Sequence, residues 1–148
     1  MRVWRLCEVK HAPGLDGEGA RLWGGRWNSP GSPLVYTSGS LALATLEVLV
    51  HLPQVERRKG KLPHYLAIGL DLPDRYIFDP DYPASIPSDE SAALGDAWLG
   101  SRSSLALMVP SRVIPLERNV LLNPRHPEMA KVTVAVNEPF VFDDRLGY

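Results

Sequence analysis

The chain is poor in sulfur, with Cys7 as its one cysteine among 148 residues. A lone thiol closes no internal disulfide and has no partner cysteine for a zinc site, so the composition favours a reducing compartment. Cys7 itself reads as a small buried thiol in an opening strand, not as a nucleophile. Long hydrophobic runs are missing as well. The N-terminal Met-Arg-Val-Trp-Arg-Leu lacks an apolar h-region, and the apolar run 41–50 is too short and too interrupted to cross a bilayer. A soluble cytoplasmic protein without membrane association is therefore expected. Neither sign of charge is in excess. Sixteen Lys and Arg against seventeen Asp and Glu give a net charge of -1, which offers nucleic acid no global field and argues against direct DNA or RNA binding. The histidines lack metal-ligand spacing, and His51 and His126 read as structural.

What is present suits one compact domain: 148 residues, 45% hydrophobic, can bury a real core. Strands are expected at 3–7, 34–37 and 64–72, and again in a β-rich last third at 106–109, 120–122, 132–136 and 140–142. A helix capped by Ser38 or Ser40 is expected over 41–52, stopping at Pro53. A second, capped by Ser88, covers about 89–99 and buries Ala92, Ala93, Leu94 and Trp98. The Gly-rich stretch 10–32 and the Pro-rich stretch 73–88 read as loops, and 56–61 as a charged turn. Strands do not alternate with helices, so the class is α+β, a β-rich core with a few flanking helices.

Three residues stand out against this background. Glu47 lies in the most apolar run of the chain, where a carboxylate is normally paired or put to use. A solvated helix-face glutamate is the plain alternative. Arg26 follows Gly24-Gly25 and precedes Trp27, so backbone can approach a ligand while the guanidinium offers a planar fork for phosphate. Stacking on Trp27 at the surface is the competing reading, and the glycine spacing matches neither a P-loop nor a dinucleotide fingerprint. Ser111 follows Val109-Pro110 at a strand end without a Gly-x-Ser-x-Gly elbow, which favours hydrogen bonding over acyl chemistry. Arg5 is a second candidate anion contact, and Tyr36 ends a strand where its ring or hydroxyl can meet a nucleoside. Asp79, Asp81, Asp89 and Glu90 read as solvated.

In their order, Arg26 in Gly-Gly-Arg-Trp-Asn, Glu47 in Ala-Leu-Ala-Thr-Leu-Glu and Ser111 in Val-Pro-Ser resemble the RES domain family, named for an arginine, a glutamate and a serine. Trp4-Arg5-Leu6, Leu34-Val35-Tyr36-Thr37-Ser38, Gly95-Asp96-Ala97-Trp98-Leu99 and Asn119 to Pro127 extend the resemblance over nearly the whole chain. It implies an ADP-ribosyltransferase-like fold and a toxin of a bacterial type II toxin–antitoxin system that cleaves the nicotinamide–ribose bond of NAD+. Arg26, Glu47 and Ser111 would then be catalytic, with Arg5, Trp27 and Tyr36 also contacting NAD+. No prosthetic group or metal is implied; NAD+ enters as substrate, with inorganic phosphate as a candidate co-substrate. The expected partner is an Xre-type helix-turn-helix antitoxin that blocks the active site, with the toxin itself a homodimer in the complex. Three rivals stay open: a protein ADP-ribosyltransferase, a non-catalytic NAD or ADP-ribose binding module, and a ribonuclease using His51 and His126 as acid and base.

Overall fold

The structure is a computed structural model that describes residues 1–52 and 64–147; the expected turn at 56–61 lies outside them. Seven strands, β1 Arg2–Glu8, β2 Val35–Ser38, β3 Tyr65–Asp71, β4 Ile77–Phe78, β5 Ala106–Pro110, β6 Arg118–Leu122 and β7 Thr133–Phe140, build one sheet. Its order is β4-β5-β6-β2-β1-β3-β7. All neighbours run antiparallel except β4 and β5. Three α-helices accompany it among the described residues: α1 Glu18–Trp23, α2 Leu41–His51 and α3 Ser88–Ser101. The class is α+β, as the sequence suggested.

Strand alternation sorts side chains to two apolar faces. On one face Val3, Cys7, Val35, Ile68, Leu70, Val120 and Leu122 pack together. On the other, Leu107, Val109 and Leu121 meet Trp98 and Leu99 of α3, while Leu6, Tyr65 and Ala67 meet Leu49 of α2. Leu70, Leu107 and Leu121 are essentially sealed from water, and each contributes about 2 kcal/mol of transfer free energy.

The sheet is not continuous in its hydrogen bonding. β1 pairs with β3 at every residue from Arg2 to Glu8 but with β2 at one position, Trp4 opposite Ser38. β2 in turn pairs along its whole length with β6. The sheet therefore splits between β1 and β2, and α2, which follows β2 after only two residues, overhangs the split. The Ser40 hydroxyl caps α2 by accepting the Leu43 amide at 3.1 Å, settling the choice between Ser38 and Ser40.

Several local expectations change. The stretch 10–32 is not all loop: α1 forms inside it, launched from Gly17 in a left-handed conformation. The Pro-rich stretch contributes the two-residue β4, whose pairing with β5 no local pattern announces. Ser88 opens α3 as its first residue, and the capping position belongs to Pro87. Nor do Ala92, Ala93 and Leu94 form the buried face; it is Ser91, Gly95, Trp98 and Leu99, with Ala93 exposed. The two strands expected at 132–136 and 140–142 are one strand, β7, because an edge position tolerates Pro139.

Gly95 has a steric reason. A Cβ there would run into the Trp27 carbonyl group, so α3 and the segment before β2 touch backbone to backbone. Gly95→Ala should cost about 3 kcal/mol or more through overpacking. Gly100→Ala, with open space around it, should be neutral or stabilise by up to about 1 kcal/mol. Urea unfolding of the two variants checks the contrast, and equal losses would show that close approach at Gly95 does not matter.

Candidate active site

A cleft of about 900 Å³ occupies the split between β1 and β2, lined by α2, the Gly24–Trp27 segment, Ser88 and the 110–113 turn. Glu47 reaches it from the middle of α2, half-buried. The Ser111 hydroxyl donates to Glu47 Oε1 at 2.7 Å, and the Asn119 amide Nδ2 donates to the same oxygen at 2.7 Å. Asn119 is itself oriented by the Ser38 hydroxyl, which donates to its Oδ1 at 2.8 Å. Ser111, fully buried, accepts the Val113 and Ile114 amides at 3.1 and 3.0 Å. With its proton on Glu47 and its lone pairs on two amides, Ser111 is built to hold the carboxylate and not to attack a substrate. Glu47 Oε2 takes no hydrogen bond among the described residues.

The Arg26 segment is a tight turn, closed by a Gly25 amide bond to the Asn28 carbonyl at 3.0 Å. Buried Asn28 organises it: Nδ2 donates to the Ala20 and Ser32 carbonyls at 2.9 and 3.2 Å, and Oδ1 accepts the Tyr36 hydroxyl at 2.7 Å. The same hydroxyl accepts the Trp27 amide at 3.0 Å. A Cβ on Gly25 would fall 2.5 Å from that oxygen, which explains the glycine. From this turn the Arg26 guanidinium donates to the Ile86 carbonyl at 2.5 Å and the Ser88 hydroxyl at 2.9 Å. Its Nε is buried without an acceptor among the described residues. Burial, and then the neighbouring Arg112 charge, hold its pKa below the usual arginine value.

Arg5 also lines the cleft. A Cβ on Gly14 would approach both the Arg5 Nη2 and the Cys7 Sγ, at 2.9 and 2.8 Å, so guanidinium and thiol sit side by side. Arg5 Nε has no acceptor among the described residues, and burial lowers the guanidinium pKa. Burial likewise raises the Cys7 thiol, in keeping with an inert role. The cleft thus holds Arg26 and Arg112 with the single lining carboxylate Glu47 in a chain of net charge -1, while Arg5 lines it from the strand that forms one edge of the split, its guanidinium turned toward Cys7.

Not every candidate faces the cleft as expected. The Trp27 ring is 3% exposed and stacks on Tyr82, centroids 5.7 Å apart, so it is a core residue and not a surface partner of Arg26. His51 hydrogen-bonds the Glu47 carbonyl through Nδ1 at 2.7 Å at the cleft wall. His126 instead accepts the Glu128 amide at the start of a short 3-10 helix, Pro127–Lys131, away from the cleft lining. The two histidines are not brought together as an acid–base pair. Asp79 and Asp81 are not simply solvated; they hold Arg118 at 2.5 and 3.4 Å. Sequence reasoning missed Asn119, Ser38, Trp4 and Arg112 as site residues. A polar Asn119 entering the otherwise apolar Val120-Leu121-Leu122 was the available signal.

Such a cleft, with guanidinium groups and one fixed carboxylate, has the charge pattern that suits an anionic ligand carrying a hydroxyl or a developing positive charge. The chain belongs to the RES domain family, whose profile matches residues 2–143. It is 38% identical over 155 residues to "Toxin Res" of Yersinia enterocolitica, covering 99% of both chains. It is 35% identical to "Toxin Res" of Photorhabdus laumondii, covering 99% of this chain and 97% of the relative. Against "Prs ADP-ribosylating toxin" of a Sphingobium species the identity is 32%, over 97% and 94% of the two chains. The fold is similar to the crystal structure of the M. tuberculosis MbcT–MbcA toxin-antitoxin complex, with TM-score 0.76 and 18% identity over 99% of this chain and 86% of that one.

Burial pushes the Tyr36 phenol up to about 12. Below pH 10 it is neutral in folded and unfolded chains alike and its contribution is complete; between 10 and 12 only the unfolded chain ionises, and the contribution is lost. The stability gap between the wild type and Tyr36→Phe should therefore shrink by about 2 kcal/mol over that range. Urea titrations at pH 9 and pH 11.5 test this, and a gap independent of pH would mean the phenol is not shielded.

Proposed function

We propose that the chain is the toxin of a bacterial toxin–antitoxin system and that it breaks the nicotinamide–ribose bond of NAD+. The observation that carries this reading is Glu47, which lines the cleft: Oε1 is fixed by two neutral donors, Ser111 and Asn119, while Oε2 takes no hydrogen bond among the described residues. Unlike a salt-bridged carboxylate, it has no cationic side chain bonded to it among the described residues.

In this reading the pyrophosphate lies among Arg5 and Arg26, whose guanidiniums lack carboxylate partners among the described residues. Cleavage moves the electron pair of the C–N bond onto nicotinamide, which leaves as a neutral molecule and needs no proton. The ribose carbon becomes oxocarbenium-like. Glu47 Oε2 accepts a hydrogen bond from the ribose 2-hydroxyl and stabilises that charge as it develops. Trp4 and Tyr36 supply the aromatic wall for the nicotinamide end, a role the buried Trp27 ring does not fill. Water or inorganic phosphate then captures the ribose. An antitoxin of helix-turn-helix type covers the cleft, and the toxin pairs with a second copy in that complex. The names of its relatives support the toxin assignment. A second reading, transfer of ADP-ribose to a protein, is favoured by the 32% identical relative named as ADP-ribosylating.

Incubating the purified chain with NAD+, with and without phosphate, and resolving products by mass tests the reading. Nicotinamide should be released, with ADP-ribose or its 1-phosphate reporting the acceptor, and Glu47→Gln should slow release about 10²–10³-fold while leaving the fold intact. NAD+ that stays whole unless a protein acceptor is added would move the transferase reading ahead.

A further inference from the structure

We propose that Arg26 and Arg112 form a two-guanidinium clamp for one phosphate group, with Arg112 as an anion-binding residue beyond the arginine–glutamate–serine set. The two side chains come from different segments yet end on the same acceptor, the Ile86 carbonyl, at 2.5 and 3.3 Å. A single carbonyl oxygen cannot satisfy two forks of five donors each. Like charges so close repel, and nothing in the described residues offsets them. Arg2, Arg21, Arg118 and Arg145 each hold an aspartate or glutamate, whereas Arg26 and Arg112 hold none among the described residues. Arg26 Nε is buried with no acceptor among the described residues.

Two planar forks with an uncompensated double positive charge match the several oxygens of a phosphate, each able to accept from both guanidiniums. Arg112 also follows Ser111 directly, and Ser111 donates to Glu47. Capture of an anion by Arg112 therefore steadies the 111–114 turn that positions the carboxylate. The clamp rests on the proposed function only for the identity of the ligand; the phosphate chemistry stands without cleavage.

Binding is best measured by calorimetry on Glu47→Gln protein, which is not expected to turn over ligand. The probes are ADP, inorganic phosphate and the phosphate-free nicotinamide riboside. Arg112→Ala in this background should weaken ADP binding roughly 10–100-fold and leave nicotinamide riboside unchanged. Arg112→Lys should restore part of the loss, since it returns charge without the fork, and Arg112→Glu should weaken ADP further. If inorganic phosphate displaces ADP, the clamp holds a phosphate of the substrate. If phosphate binds alongside ADP and Arg112→Ala removes only the phosphate, the clamp serves free phosphate as co-substrate. A folded Arg112→Ala that binds ADP and phosphate within twofold of its parent overturns the clamp, even if the wild type cleaves NAD+. Arg112-dependent ADP binding by a chain that leaves NAD+ intact keeps the clamp and overturns the cleavage reading.

Discussion

Backbone contact between α3 and the turn that carries Arg26 is the constraint on which the site depends. The Ser91 hydroxyl donates to the Arg26 carbonyl at 2.5 Å, Gly95 lies against the Trp27 carbonyl, and Asp96 takes both the Ser29 amide and hydroxyl at 2.9 and 2.6 Å. Those three helix positions are small or polar where a core-facing helix would ordinarily carry large apolar residues. On its other side the turn is tied to α1 by Asn28 and to β2 by Tyr36. A Gly-Gly segment would by itself be loose. Gripped from both sides, it presents a guanidinium at a fixed place over the split in the sheet.

The carboxylate is positioned by a different logic. Glu47 stands on a helix, but its partners come from the sheet beneath it, Ser111 from the turn after β5 and Asn119 from β6, and the cleft at the split between β1 and β2 lies beside the meeting point. Neutral donors orient the group without neutralising it. Three arginines line the same cleft, yet none bonds to Glu47 among the described residues. Charges of opposite sign are thereby held apart in one cavity, an arrangement suited to a ligand that is anionic at one end and cationic at the other.

Much of this was legible in advance because it is local. The Ser40 cap, the 41–51 helix, the 65–71 strand and the odd Glu47 in an apolar run all follow from residues within a turn or a pleat of one another. The set of Arg26, Glu47 and Ser111 rested instead on the resemblance to the RES domain family; Arg26 and Glu47 line one cleft, and buried Ser111 lies behind Glu47, hydrogen-bonded to it. What escaped reading depends on distant pairing. Asn119 lies 72 residues from the carboxylate it binds, and the role of Gly95 needs the Trp27 carbonyl, which no periodicity foretells. Trp27 was misplaced because its neighbours Gly25 and Arg26 face the cleft while its ring turns into the core. Helix α1 was hidden by the glycines that flank and interrupt it.

The tryptophans divide among these environments in a way that makes the molecule its own reporter. Trp27 and Trp98 are sealed in the core, Trp23 is 83% exposed, and half-buried Trp4 lines the cleft. Their emission senses three different surroundings. Loss of tertiary packing moves the two core indoles toward the spectrum that Trp23 already shows, whereas a ligand entering between β1 and β2 changes Trp4 first. Occupancy and unfolding thus carry separate optical signatures in a chain with no added label.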